Sequence, residues 1–182
     1  TMDDGAVSND ECGIIVGCIG QDDKVWILDD LTVKGPPSKW AQAVGEAFLK
    51  WDASVVLAEI NQGGTLVRQV LNQYWNGLPI VTVRATDGKR IRAEGPAILC
   101  EQGEVKLACS DNRKFQLLCD QLMTWDPLDK DKKSPDRLDA FCQLVHHLKP
   151  AVARQRIESD ERLYRNARGR ARRQRRPGGP NN

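Results

Sequence analysis

The sequence predicts a mixed α/β sheet flanked by helices, followed by a basic C-terminal tail. Three observations carry that expectation. First, short apolar runs without alternation, at residues 55–57 and 78–83, are separated by segments of helical periodicity, which suits strands covered on both faces and joined by crossover helices. Second, the run at 54–64, SVVLAEINQGG, ends in a single carboxylate and then breaks at Gly63 and Gly64. An unpaired buried carboxylate costs several kcal/mol, so Glu59 must reach a strand end, a cation or a metal. Carboxylate at a strand end, tight turn and helix is the order in which open α/β sheets place their chemistry. Third, charge divides the chain. Residues 151–182 hold ten Arg against Glu158, Asp160 and Glu161, a net +7 that leaves the first 150 residues at −5 although the whole chain is only +2.

Taken in order, the opening TMDDGAVSNDECGIIVGCIG begins abruptly, as the end of a strand would if its start lay further upstream, and gives an acidic loop at Asp3, Asp4 and Asp10. Gly13 to Ile19 reads as a strand. Gln21, Asp22 and Asp23 form a turn, and KVWILDDLTVKG returns as the antiparallel partner of a hairpin. Pro36, Pro37 and Ser38 close it and start a helix, with Ser38 as N-cap and Trp40, Val44, Phe48 and Leu49 on one face. The Glu59 strand follows, and Leu66, Val67, Val70 and Leu71 repeat at helical spacing between residues 65 and 75.

After the strand at 78–83, Lys89, Arg90 and Arg92 cluster behind a glycine-containing turn. They are either phosphate contacts or a solvated helix start. Ile91, Ile98 and Leu99 offer a core face, while Gly95 and Pro96 are expected to bend or restart that helix. Residues 105–107 form a short strand, and NRKFQLLCDQLMTW is an amphipathic helix through Phe115, Leu118 and Leu122. The last helix, SPDRLDAFCQLVHHL, takes Ser134 as N-cap and Pro135 at its first position, which puts Asp136 in the first turn, where the helix dipole favours an anion. Asp139 lies about one turn on. An acid there is explained equally by capping. His146 and His147 sit near the helix end, suited to its dipole rather than to catalysis.

Two units are expected, residues 1–150 and a flexible Arg-rich tail at 151–182 that has too few apolar groups to offset its ordering entropy and suits a polyanion or an acidic protein surface. Six cysteines (Cys12, Cys18, Cys100, Cys109, Cys119, Cys142) show no CxxC pair and read as free buried thiols. Cys142 and His146, at i and i+4, supply two zinc ligands at most, which is not a site. No apolar run reaches membrane-spanning length and no signal pattern opens the chain, so a soluble, intracellular protein without a membrane partner is expected.

Four stretches, in this order, resemble one family: DGAVSNDECGIIV, AEINQGG, GKRIRAEGPAILCEQGEV and SPDRLDA. Over about residues 3–148 the chain is similar to the C-terminal nuclease domain of the large terminase subunit of tailed double-stranded DNA bacteriophages, whose fold is ribonuclease H-like. Gly5 stands where the family usually has Pro, and no GxxxxGK[ST] loop occurs, so the packaging ATPase of a full terminase is expected to lie outside these residues.

The resemblance implies a metal-dependent endonuclease that cuts concatemeric viral double-stranded DNA during genome packaging. Its implied catalytic acids and metal ligands are Asp4, Glu59 and Asp136, with Asp3 as the alternative register for the first, Asp10 as an auxiliary ligand and Asp139 as a weaker one. The strand leading to Asp4 would lie beside and parallel to the Glu59 strand, with carboxyl ends about 5 Å apart. Carboxylates so gathered call for hard, oxygen-liganded ions, here two Mg²⁺ or Mn²⁺ about 3.5 to 4 Å apart.

Lys89, Arg90 and Arg92 would hold the DNA backbone, joined by Arg170, Arg172 and Arg173 of the tail. The portal protein, the small terminase subunit and the ATPase domain are the implied partners, in the cytoplasm of the infected host. Two other readings stand beside it. One is another ribonuclease H-like nuclease, such as a Holliday junction resolvase or transposase core, against which AEINQGG and GKRIRAEG speak. The other is a DNA-binding or portal-docking module that does not cut.

Overall fold

The computed structural model describes residues 11–60, 65–84, 88–109, 112–126, 128–129 and 135–150. The first acids (Asp3, Asp4, Asp10), Gly63 and Gly64, Ser134 and the Arg-rich tail lie outside those residues.

The hairpin forms as expected. β2 (Ile15–Ile19) pairs antiparallel with β3 (Val25–Asp30). The segment predicted as one long second strand stops at Asp30, however. The Asp30 carboxylate accepts the Thr32 amide at 3.1 Å, and the Thr32 hydroxyl takes the Ile14 amide at 3.2 Å. An Asx turn of this kind offers the backbone an alternative to the ladder. The chain resumes as a two-residue strand, β4 (Val33–Lys34), paired with β1 (Glu11–Cys12).

Helix α1 (Pro37–Lys50) follows, then β5 (Val56–Glu59), α2 (Thr65–Tyr74) and β6 (Ile80–Val83), with β5 and β6 parallel from Val56 opposite Ile80 to Glu59 opposite Val83. Two details of α1 correct the sequence reading. Pro36, not Ser38, stands at the cap position, with Pro37 opening the helix and no side-chain cap bond. The face turned inward is Ala41, Gly45 and Ala47, while Leu49 is 66% exposed. The small residues let α2 approach so closely that a Cβ at Gly45 would collide with the Trp75 ring. On α2, Leu71 is buried and Leu66 is exposed.

α3 (Lys89–Glu101) leads to β7 (Val105–Leu107), which pairs parallel to β3 and completes the mixed sheet β2-β3-β7. A 3-10 turn (Asn112–Phe115) opens α4 (Gln116–Thr124), and α5 (Asp136–Leu148) closes the described fold. The main core lies between the β3 face and α3, α4 and α5, where Val25, Ile27, Leu99, Phe115, Leu118, Leu138, Phe141, Cys142 and Val145 pack together. Of the three residues expected on the α3 core face only Leu99 is buried. Ile91 and Ile98 are about half exposed, because the face turned inward is Gly95, Pro96 and Leu99. The thiols also depart from expectation: Cys142 is buried, Cys18 and Cys100 are exposed, and the other three are half-buried, all free.

α3 neither breaks nor restarts at Pro96, which lies inside one continuous helix. A proline within a helix removes the amide that would bond the carbonyl four residues back, here that of Arg92. His146 Nε2 lies 2.7 Å from that carbonyl oxygen. A carbonyl only accepts, so Nε2 carries the proton. The imidazole of α5 thus replaces the bond that Pro96 deletes, and the helix runs through the proline without restarting. Among the described residues no helix is long and apolar enough to cross a membrane.

A second polar network anchors α1 and the 3-10 turn to β3. Asp29, 3% exposed, accepts from Lys50 Nζ at 2.7 Å and Trp51 Nε1 at 2.9 Å, and pairs with Lys114 Nζ at 3.3 Å. Both ammonium groups also lie over the Trp51 ring. Burial alone would raise the Asp29 carboxyl, but the hydrogen bonds from Lys50, Trp51 and Lys114 outweigh it and hold the group below its ordinary value.

Two predictions follow from these networks. In urea unfolding, Asp29→Asn should cost about 1–3 kcal/mol at pH 7, the range for a hydrogen bond to a charged group. A depressed folded-state pKa stabilises above the unfolded value near 4 and loses that contribution as pH falls through the folded one, so the gap between wild type and variant should close below about pH 4. For the α3 link, His146→Ala should cost about 1–2 kcal/mol in the wild-type background. It should cost measurably less beside Pro96→Ala, where the restored amide takes the Arg92 carbonyl. A double-mutant cycle with no coupling would refute the replacement bond.

Candidate active site

Glu59 is the last residue of β5, where the apolar run VLA has buried its backbone and the side chain can leave the sheet. Asp136 and Asp139 occupy the first turn of α5, and both line the same cleft as Glu59. That cleft, about 890 Å³, runs between β2 and β5 with α5 along it, and Gly13, Leu57 and Gln143 contribute to its wall. Among the described residues β2 pairs only with β3 and β5 only with β6.

The placement of the α5 start is fixed from beneath. A Cβ at Gly13 would collide with the Asp136 carbonyl oxygen, so only glycine lets the β1-β2 corner meet the helix here. Arg137, 7% exposed, donates from Nε to Asp30 at 2.9 Å and from its terminal nitrogen to Glu11. Such a forked guanidinium fixes orientation as well as distance. Asp136 in turn raises the neighbouring Cys12 thiol, which burial first and this carboxylate second push up to about 11.

One cation joins the acids. Arg92, whose side chain is 10% exposed, sets one terminal nitrogen 3.2 Å from Glu59 Oε2 and the other 3.6 Å from Asp139 Oδ1. Gln143 Nε2 donates to the same Glu59 oxygen at 3.0 Å. Lys89 Nζ lies 3.1 Å from Asp139 Oδ2. The Cys142 thiol behind them is pushed up to about 12, by burial, then by Asp139, with Arg92 opposing.

The sequence candidates therefore divide. Glu59, Asp139, Arg92 and Lys89 are brought together by direct contact, and Asp136 shares their cleft. Arg90 turns away and pairs with Glu94 at 3.4 Å on the exposed face of α3. Asp4, its alternative Asp3, Asp10 and the tail arginines Arg170, Arg172 and Arg173 lie outside the described residues. Cys142 and His146 form no zinc site among the described residues, since the His146 Nε2 is spent on the Arg92 carbonyl.

Four residues to which the sequence reading gave no part in the site help to build it: Gly13, Arg137, Gln143 and His146. Gln143 was within reach, since it stands four residues after Asp139 and shares its helix face. So was His146 as a partner for Arg92, because Pro96 four residues on announces an orphaned carbonyl. Gly13 and Arg137 answer to contacts across the fold that no local pattern encodes.

The donor chemistry suits a hard divalent cation. Carboxylate oxygens are its preferred ligands, and a guanidinium already sits on Glu59 and Asp139 as a cation would. Among the described residues no group of three or more His, Cys, Asp or Glu side chains is assembled around one point.

Comparison with known proteins places the chain. A search of the curated proteins found no match. Among solved structures, the crystal structure of the yeast mitochondrial Holliday junction resolvase Ydc2 matches with a TM-score of 0.43 and 11% identity, over 81% of this chain and 82% of that one. The family model described as the terminase RNase H-like domain matches residues 1–148. Its span takes in Glu59, the Lys89 to Arg92 segment and the first turn of α5, and the chain belongs to the terminase RNase H-like domain family.

Proposed function

We propose that this nuclease domain is a two-metal-ion endodeoxyribonuclease that cuts concatemeric viral double-stranded DNA during genome packaging. The observation that carries the reading is the meeting of Glu59, at the end of β5, with the acids of the first turn of α5 on one cleft. Three elements far apart in sequence converge there, because Arg92 of α3 pairs with both Glu59 and Asp139. Core packing alone does not ask for two acids at such a point, since each must be desolvated and paired.

In this reading Glu59, Asp136 and Asp4 are the principal ligands of two Mg²⁺ or Mn²⁺ ions, with Asp3 as the alternative to Asp4, Asp10 auxiliary and Asp139 weaker. Such ions, when bound, supply a water of lowered pKa and stabilise the charge of a leaving 3′ oxygen. The chain's own groups do the rest. Gln143 orients Glu59 through Oε2, Gly13 and Arg137 fix the backbone that carries Asp136, and the dipole of α5 favours charge at its N-terminal turn. In this reading the strand that carries Asp4 enters between β2 and β5, which among the described residues pair only with β3 and β6.

Lys89 and Arg92, which reach the cleft acids from α3, and Arg90 on the exposed face of that helix would contact phosphates, setting position rather than sequence. The tail arginines Arg170, Arg172 and Arg173 would add affinity for DNA or for an acidic surface of the portal. The −5 charge of residues 1–150 suits a nuclease whose DNA is brought by other components: the ATPase domain, the small terminase subunit and the portal. The setting is the cytoplasm of the infected host.

The test is cleavage of supercoiled plasmid in Mn²⁺, Mg²⁺ or EDTA, by wild type, Glu59→Gln and Asp136→Asn. Nicking and linearisation should need the metal. Each variant should lose at least about 100-fold, as expected when several kcal/mol of charge stabilisation is removed, while its circular dichroism stays native. Cutting that survives EDTA, or that both variants retain, would refute the site. Absence of cutting by the wild type with DNA retarded through the tail alone would make the chain a docking module.

A further inference from the structure

We infer that Arg92 is a resident counter-cation that competes with the divalent ion for Glu59 and Asp139, and so sets metal affinity. The inference rests on the metal-site reading above and adds to it a regulator of loading.

Its basis is the way Arg92 is held. The guanidinium reaches both acids, at 3.2 Å to Glu59 and 3.6 Å to Asp139. The second distance exceeds a hydrogen bond, so this pairing is largely electrostatic. Arg92 Nε is buried with no hydrogen-bond partner, although a guanidinium offers five donors in a fixed fork. Arg137 also serves two acids, but it commits its inner Nε to Asp30 and a terminal nitrogen to Glu11. Arg92 reaches its acids through terminal nitrogens alone, one of them beyond hydrogen-bond distance, and leaves its inner donor unmet. Charge balance holds it there.

The surroundings allow it to give way. The Arg92 backbone is pinned by His146 on its carbonyl, so release involves the side chain and not the helix. Gln143 keeps its own bond to Glu59 Oε2 and holds that carboxylate in place without the arginine. Lys89, whose side chain is 44% exposed, remains on Asp139 but is screened by solvent. A divalent ion arriving at Glu59 would meet a like charge in a low-dielectric pocket, where repulsion is much stronger than in water. Arg92 must then leave Glu59, or the ion binds more weakly. A released guanidinium is positively charged, attached to the site and suited to a phosphate, which would tie DNA contact to metal loading.

The experiment is calorimetric titration of Mn²⁺ into the full chain, comparing wild type with Arg92→Gln, Arg92→Lys, Lys89→Gln and Glu59→Gln. Arg92→Gln should bind Mn²⁺ about tenfold more tightly, and Lys89→Gln by a smaller factor, because the removed like charge is buried in one and screened in the other. Should Arg92→Gln fail to fold, Arg92→Lys carries the test: an ammonium lacks the spread of the guanidinium fork and holds the two acids less firmly, so affinity should still rise, by a smaller factor. Weaker or unchanged binding in the folded Arg92 variants would overturn the competition and make Arg92 a positioning residue or a bystander. Wild-type Mn²⁺ binding that is absent, or that Glu59→Gln leaves intact, would overturn the metal-site reading together with this inference.

Discussion

The contact on which the site depends is the pairing of one largely buried arginine with partly exposed acids from two other elements. Arg92 joins α3 to the end of β5 through Glu59 and to the start of α5 through Asp139. Removing one member of a buried ion pair leaves an uncompensated charge, which costs more than the pair contributes. The three elements therefore constrain one another strongly. The backbone beneath Arg92 is tied as well, since Pro96 frees its carbonyl and His146 takes it. The carbonyl that the proline leaves without its helical partner thus becomes a cross-link between α3 and α5.

α5 is the element through which this constraint spreads. It packs on β1, β2, β3 and β5, and so spans the β2-β3-β7 and β5-β6 sheets. One face, through Leu138, Phe141, Cys142 and Val145, belongs to the core. The neighbouring face carries Asp136, Asp139 and Gln143 along the cleft. The same rotation of the helix that buries Phe141 therefore points the acids outward. Gly13 and Arg137 then set its depth and direction at the N-terminal end.

What could be read from the sequence follows from the range of the interaction concerned. Glu59 at a strand end was legible because an acid closing an apolar run has few places to go. Asp136 in a first turn was legible because Pro135 marks a helix start. Both rest on neighbours in sequence. Ser38 failed as a cap because two prolines before it had already fixed φ and begun the helix. Leu49, Ile91 and Ile98 failed as core residues because periodicity gives a face and not which face is covered, and here Gly45, Gly95 and Pro96 permit closer packing than the larger side chains would. Arg92 was legible as a cation near the chemistry. Its turn inward onto Glu59 and Asp139 rests on pairings that span 33 and 47 positions, which no local pattern carries.

The central claim is that Glu59 and Asp136 are ligands of one divalent-cation site. Crystals grown or soaked in Mn²⁺, with anomalous scattering recorded at the manganese edge, test it most directly. The account predicts an anomalous peak in the cleft within about 2 Å of oxygens from both residues, with the Arg92 guanidinium drawn away from Glu59. A peak elsewhere, or a cleft without one while Arg92 keeps both pairings at saturating Mn²⁺, would contradict it.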